Sequence, residues 1–113
     1  VITDNDQIQH LNKTYRGIDK PTNVLAFPMQ EGQFADITPG LLGDVVISCE
    51  TAQQEADMAA ITLSERLSQL LIHGTLHLMG FDHEASPSDA QKMEDKSLEL
   101  LRKIETNKEL TIF

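Results

Sequence analysis

Three of the chain's four histidines fall within eleven residues, in His73-Gly74-Thr75-Leu76-His77-Leu78-Met79-Gly80-Phe81-Asp82-His83. The spacing His-x3-His-x2-Gly-x2-His constrains the fold more than any other feature of the chain. Residues four apart on an α-helix lie one turn above each other, roughly 6 Å along the axis, so His73 and His77 share a face. Gly80 follows where a helix ends in the left-handed conformation that glycine adopts cheaply. The chain can then reverse and return His83 to the same point. Three neutral imidazoles leave one tetrahedral position open, the arrangement of a catalytic rather than a structural zinc. Such a site can lower the pKa of bound water to roughly 7. The single cysteine, Cys49, is distant in sequence, and no fourth ligand adjoins the cluster. The expected cofactor is one zinc ion held by His73, His77 and His83; nickel, copper or iron would also accept three imidazoles.

The same spacing occurs in the metzincin proteases, His-Glu-x-x-His-x-x-Gly-x-x-His. There the residue after the first histidine is a glutamate acting as general base. Here it is Gly74, which has no side chain, so a metallopeptidase is the weaker reading.

The rest of the chain supplies a frame for this helix. Val1 and Ile2 read as a strand end. Asp4 caps a helix over about residues 5–15, with Gln7 placed to complete a capping box and Ile8, Leu11 and Tyr15 on one face. Asn23 to Phe27 is a short β-prone run, and Pro28 marks a sheet edge or a strand end. Residues 30–40 show no period and read as a loop. Asp44 to Ser48 is a buried-strand candidate with Cys49 buried at its end, and Glu50 to Met58 a short helix whose Gln and Glu residues form a solvated face. Thr62-Leu63-Ser64-Glu65 is a capping box that opens the metal helix. Its leucines 63, 67, 70, 71, 76 and 78 predict that it is central and buried. Gly74 inside it costs about 1 kcal/mol relative to alanine, a cost that makes sense where a backbone or a substrate must approach. Ser86-Pro87-Ser88-Asp89 starts a last helix, with Met93, Leu100, Leu101 and Ile104 inward and the residues from Thr106 onward frayed. The expected fold is α/β (α+β): a small mixed sheet packed with helices, a central metal-bearing helix and a metzincin-like zinc motif.

At 113 residues the chain fits one compact domain. No apolar run approaches the roughly 20 residues that span a membrane, and no signal-peptide pattern opens it. One cysteine makes no internal disulfide, which fits a cytoplasmic location.

The histidine segment, taken with three others, resembles the YbeY-type endoribonucleases, the bacterial rRNA maturation factors. The other segments are Leu11-Asn12-Lys13-Thr14-Tyr15-Arg16, Lys20-Pro21-Thr22-Asn23-Val24-Leu25-Ala26-Phe27-Pro28 and Leu42-Gly43-Asp44-Val45-Val46-Ile47-Ser48. They run in order from near the N-terminus to the helix beyond His83. Ala26 stands where many relatives have serine and Phe81 where many have tyrosine; neither is a presumed ligand. Relatives usually begin with an additional strand and helix, so residues 1–113 are expected to form a single metal-dependent hydrolase domain lacking them.

The resemblance implies a zinc-dependent hydrolase of single-stranded RNA, acting in ribosomal RNA maturation and ribosome quality control. It marks Arg16 as functional beside the three histidines, a guanidinium suited to the charge of a phosphoryl transition state. Asp44 and Asp82 are the candidates for proton transfer or for support of a ligand imidazole, Asp44 alternatively being a plain strand start. Implied partners are single-stranded rRNA and ribosomal proteins or the small ribosomal subunit. A third reading is a non-catalytic ribosome-assembly factor in which zinc maintains the cleft. A net charge of −9 opposes nucleic-acid binding on its face. Its distribution matters more, because Lys13, Arg16 and Lys20 lie together with only Asp19 among them, and weak binding by the chain alone is expected.

Overall fold

Local rules of capping and periodicity place most of the elements. The computed structural model describes residues 1–28, 43–81, 86–107 and 110. Within them the order is β1 (Ile2–Thr3), α1 (Asn5–Arg16), β2 (Val24–Pro28), β3 (Gly43–Ser48), α2 (Cys49–Ala59), α3 (Leu63–Leu78) and α4 (Pro87–Ile104). The described strands form one mixed sheet in the order β1-β3-β2, with β1 parallel and β2 antiparallel to β3. Pro28 ends the edge strand β2, where no ladder hydrogen bond is asked of it. The fold is thus the small mixed α/β arrangement expected. Its metzincin-like part does not extend to three ligands among the described residues, which hold no cluster of three metal-ligating side chains; His83 and Asp82 lie outside them. No described helix is long and apolar enough to cross a membrane.

Three helices begin at the caps their sequence predicts, and α2 begins one residue earlier than expected, capped by Ser48. The Asp4 carboxylate accepts the backbone N–H of Gln7 at 2.8 Å. The rest of the expected capping box is absent, because the Gln7 side chain instead accepts the Thr3 hydroxyl. Thr62 and Glu65 form a complete box on α3, and Ser86 caps α4 with Pro87 at its first position. At the end of α3, Gly80 takes φ 94°. Its N–H bonds the His77 carbonyl, and the Phe81 N–H reaches the Leu76 carbonyl at 3.0 Å. This Schellman arrangement is closed by Phe81 packing on the cluster that contains Leu76.

The core lies on both faces of α3. Leu70 packs with Ile47 and Ala52 on the sheet and α2 side, and Ile72 and Leu76 pack with Met93 and Leu101 of α4. A third cluster joins Ile8 of α1 to Leu25 and Val46 of the sheet. α3 is central as expected, but Leu71 is half-exposed, as is Ile104 at the end of the α4 stripe. Ser97 takes a buried place in that stripe, its hydroxyl bonding the Met93 carbonyl one turn back. Cys49 is the first residue of α2 and only half-buried.

Two described residues of the stretch expected to fray, Asn107 and Leu110, are held, as is Glu105 before it. The Asn107 side chain donates to Glu65 at 2.9 Å, and the Ser68 hydroxyl donates to Glu105 at 2.6 Å. Arg102 donates to the Leu110 carbonyl, and Leu110 is buried. The pattern hid this because the anchors are isolated polar residues rather than an apolar period.

Candidate active site

The crossing of α3 over the sheet sets the geometry of the site. Gly74 is buried where the helix lies against β2 and β3. A Cβ at this position would stand 2.7 Å from Cγ1 of Val45, with Val24 Cγ2 at 3.3 Å. The approach that Gly74 permits is therefore by valine side chains of the sheet. Sequence reasoning expected a backbone or a substrate there. The same crowding bears on the peptidase reading, because a glutamate at position 74 would have to occupy the space of Val45.

One residue earlier and three later, His73 and His77 present their rings on a common face, both half-buried. The ring centroids are 4.6 Å apart at 78°, and the two Nε2 atoms are 3.1 Å apart. Two nitrogens bonded to one tetrahedral zinc at about 2.0–2.1 Å would be separated by about 3.3–3.4 Å. The separation of the pair is close to that of two ligands of one ion. The same contact is within hydrogen-bond distance, with the donor set by which ring nitrogen carries its proton.

Both rings open into a cleft of about 1140 Å³. Its walls bring together Arg16, Asp44, His73 and His77 from three elements far apart in sequence, with the whole of β2 along one side. Arg16, the last residue of α1, is exposed and lies close to the negative end of the helix dipole. Asp44 is exposed near the start of β3, opposite Phe27 of β2. Of the basic trio of the sequence, Arg16 alone lines the cleft. Lys13 lies 3.9 Å from the Asp19 carboxylate, and neither it nor Lys20 lines the cleft. Among the described residues, Arg16 and Asp44 are the charged side chains of the lining.

Two features of the site escaped the sequence. The first is the Tyr15–Phe27 pair on the rim, with ring centroids 5.3 Å apart at 67°. The second is a polar network that holds the wall at Asn23. Arg66 is buried in α3 and pairs with Glu55 of α2 at 3.0 Å. Its Nε also donates to Glu55, and its Nη1 donates to Gln69 at 2.8 Å. The Asn23 amide donates to both Glu55 oxygens at 3.2 and 3.3 Å. Glu55 is thus a structural acceptor and not part of a solvated face. The available signal was Arg66 itself, a charge one residue before Leu67 and four before Leu70, on the apolar side of the helix.

The chain is similar to known proteins over most of its length. The model of the family described as Endoribonuclease YbeY matches residues 1–105. The Endoribonuclease YbeY of Geobacter sulfurreducens is 48% identical over 106 residues, covering 93% of this chain and 71% of that protein. That of Syntrophotalea carbinolica is 47% identical over 105 residues, covering 92% and 70%. The solution structure of TM1509 from Thermotoga maritima superposes with a TM-score of 0.63 at 29% identity, covering 90% of this chain and 63% of that one. The family model matches nearly the whole chain and two of the family's proteins are nearly half identical to it, so the chain belongs to the YbeY endoribonuclease family.

Proposed function

We propose that this chain is a metal-dependent hydrolase that cleaves single-stranded RNA, acting as an endoribonuclease in ribosomal RNA maturation and ribosome quality control. The observation that carries the reading is the pair of Nε2 atoms 3.1 Å apart, opening into the cleft that Arg16 also lines. His73 and His77 would hold one zinc ion, with His83, outside the described residues, as third ligand. A zinc held this way would supply an activated water near neutral pH. Nickel or another divalent metal suits the same donors.

The chain's own residues do the remaining work. Arg16 offers a planar fork of N–H donors to a phosphate on the exposed rim, where charge accumulates in the transition state. Its position on the last turn of α1, as the one cationic side chain of the described lining, supports it as the phosphate contact. Asp44 faces the same cleft and is the candidate for orienting an imidazole or taking a proton; Asp82 is the second candidate by its place in the sequence. The sheet packed under Gly74 keeps the two imidazoles from shifting along the helix axis. The working partners would be rRNA and the small ribosomal subunit or its proteins, in the cytoplasm. Basic ribosomal proteins would offset the chain's charge of −9.

The test is cleavage of a single-stranded RNA by the zinc-loaded protein and by folded His77→Ala and Arg16→Ala variants. His77→Ala should lose metal and cleavage together. Arg16→Ala should keep its metal and lose about 10²–10³-fold in kcat, the usual effect of removing one transition-state donor. Undiminished cleavage by both variants would refute the reading.

A further inference from the structure

Tyr15 is the one member of its helix stripe that the core does not take. Ile8 on the same face of α1 is fully buried, whereas Tyr15 is 67% exposed and lines the cleft. An aromatic ring left this open is usually mobile, but the edge-to-face contact with Phe27 fixes its orientation. The next residue in the chain is Arg16, the phosphate contact. A fixed, open aromatic surface beside a single guanidinium matches the alternation of base and phosphate along an unpaired strand.

Charge leads to the same place. Phosphate contacts supply most of the affinity of ordinary nucleic-acid binders. In a chain of net charge −9 whose described cleft lining has Arg16 as its one cationic side chain, the protein's own side chains add few phosphate contacts beside the metal ion proposed above. Binding must then draw on contacts that salt does not screen, and stacking is such a contact. It is worth about 1–3 kcal/mol per base and is tolerant of sequence.

We infer that Tyr15, backed by Phe27, is a stacking platform for one unpaired RNA base, and that it contributes to the preference for single strands. This rests on the endoribonuclease reading above. A base in a duplex is already stacked on both sides and cannot lie on the ring, whereas an unpaired base can be splayed out.

The chain contains one tyrosine and no tryptophan, so its intrinsic emission reports on Tyr15 alone. The probe is a single-stranded 2′-O-methyl adenosine heptamer, with the same strand annealed to its complement as control. Quenching by the single strand and none by the duplex is expected, with a shallow dependence on salt. In cleavage assays Tyr15→Ala should raise KM by about 5–100-fold and change kcat by less than about 2-fold, matching the stacking energies above. Tyr15→Phe keeps the ring and should restore the KM. An RNA with an abasic site at the stacked position should weaken wild type and leave Tyr15→Ala indifferent. Equal quenching by the duplex, or a Tyr15→Phe variant as weak as Tyr15→Ala, would overturn the platform. So would an unchanged KM in Tyr15→Ala, while the wild-type cleavage in the same assay left the endoribonuclease reading standing. A wild-type protein that neither binds nor cuts RNA would remove both.

Discussion

The two halves of α3 are built on opposite principles. Its N-terminal half is tied down by polar groups. Thr62 and Glu65 close the capping box, Asn107 and Glu105 reach in from beyond α4, and Arg66 is locked between Glu55 and Gln69. Its C-terminal half has Gly74 against the sheet and two imidazoles at the edge of an open cleft. The contrast teaches where the rigidity of the site originates. The histidines ride on the helix axis, and that axis is anchored at the other end and at the valine contact.

Breaking the anchored end should have the largest effect on stability. Arg66→Ala leaves the Glu55 carboxylate with the Asn23 amide in place of a guanidinium. We expect a loss of about 2–3 kcal/mol in denaturant unfolding, below the range for a fully buried pair because Glu55 keeps access to water. If the two halves were independent, zinc affinity in Arg66→Ala would be unchanged once the loss of folded protein is allowed for. A weakened affinity would show that the anchor positions the histidines.

The valine contact is the next test. Gly74→Ala gains about 1 kcal/mol of helix propensity. It must also place a methyl group 2.7 Å from a β-branched side chain that has little rotamer freedom, and overpacking of this kind costs about 1–3 kcal/mol. A net loss of about 1 kcal/mol is expected, relieved when Val45→Ala is added. The coupling in that double-mutant cycle, read by thermal melting, isolates the contact. An additive pair would mean that the helix and sheet do not press on each other here.

The smallest effect lies at the capping box and depends on pH. The Glu65 carboxyl is held below its ordinary value of 4.5, first by the Thr62 backbone N–H and then by the Asn107 side chain. A carboxyl lowered on folding stabilises the protein above its unfolded pKa, and the contribution disappears as pH falls through the folded pKa. Stability should therefore decline on acidification below about 4.5, partly through this group. Glu65→Gln should flatten that part of the profile, as read by unfolding at successive pH values.

Much of α3 was legible beforehand because its signals are local. Thr62 with Glu65, Gly80 with the turn after it, and the four-residue interval between His73 and His77 each act within one or two helical turns. The start of α4 at Ser86-Pro87 and the strand end at Pro28 belong to the same class. The misreadings share a different cause. Glu55 looked solvated because its partners are 11 and 32 residues away. The last residues looked frayed because Asn107 meets Glu65 across 42 positions. Tyr15 fell on the apolar face of α1, and periodicity cannot tell that this face leaves the core before the helix ends.

The sequence by itself therefore determined the helices, their caps and the alignment of two imidazoles on one face, since backbone geometry and side-chain chemistry within a few residues decide those. It also carried the family, through motifs spread in order along the chain. Only the tertiary structure decided what Gly74 accommodates, that Arg16 and not Lys13 or Lys20 reaches the cleft, and that Tyr15 stands open beside it. Those outcomes depend on how close a helix lies to a sheet and where a cleft opens, distances set by packing between residues that no local pattern connects.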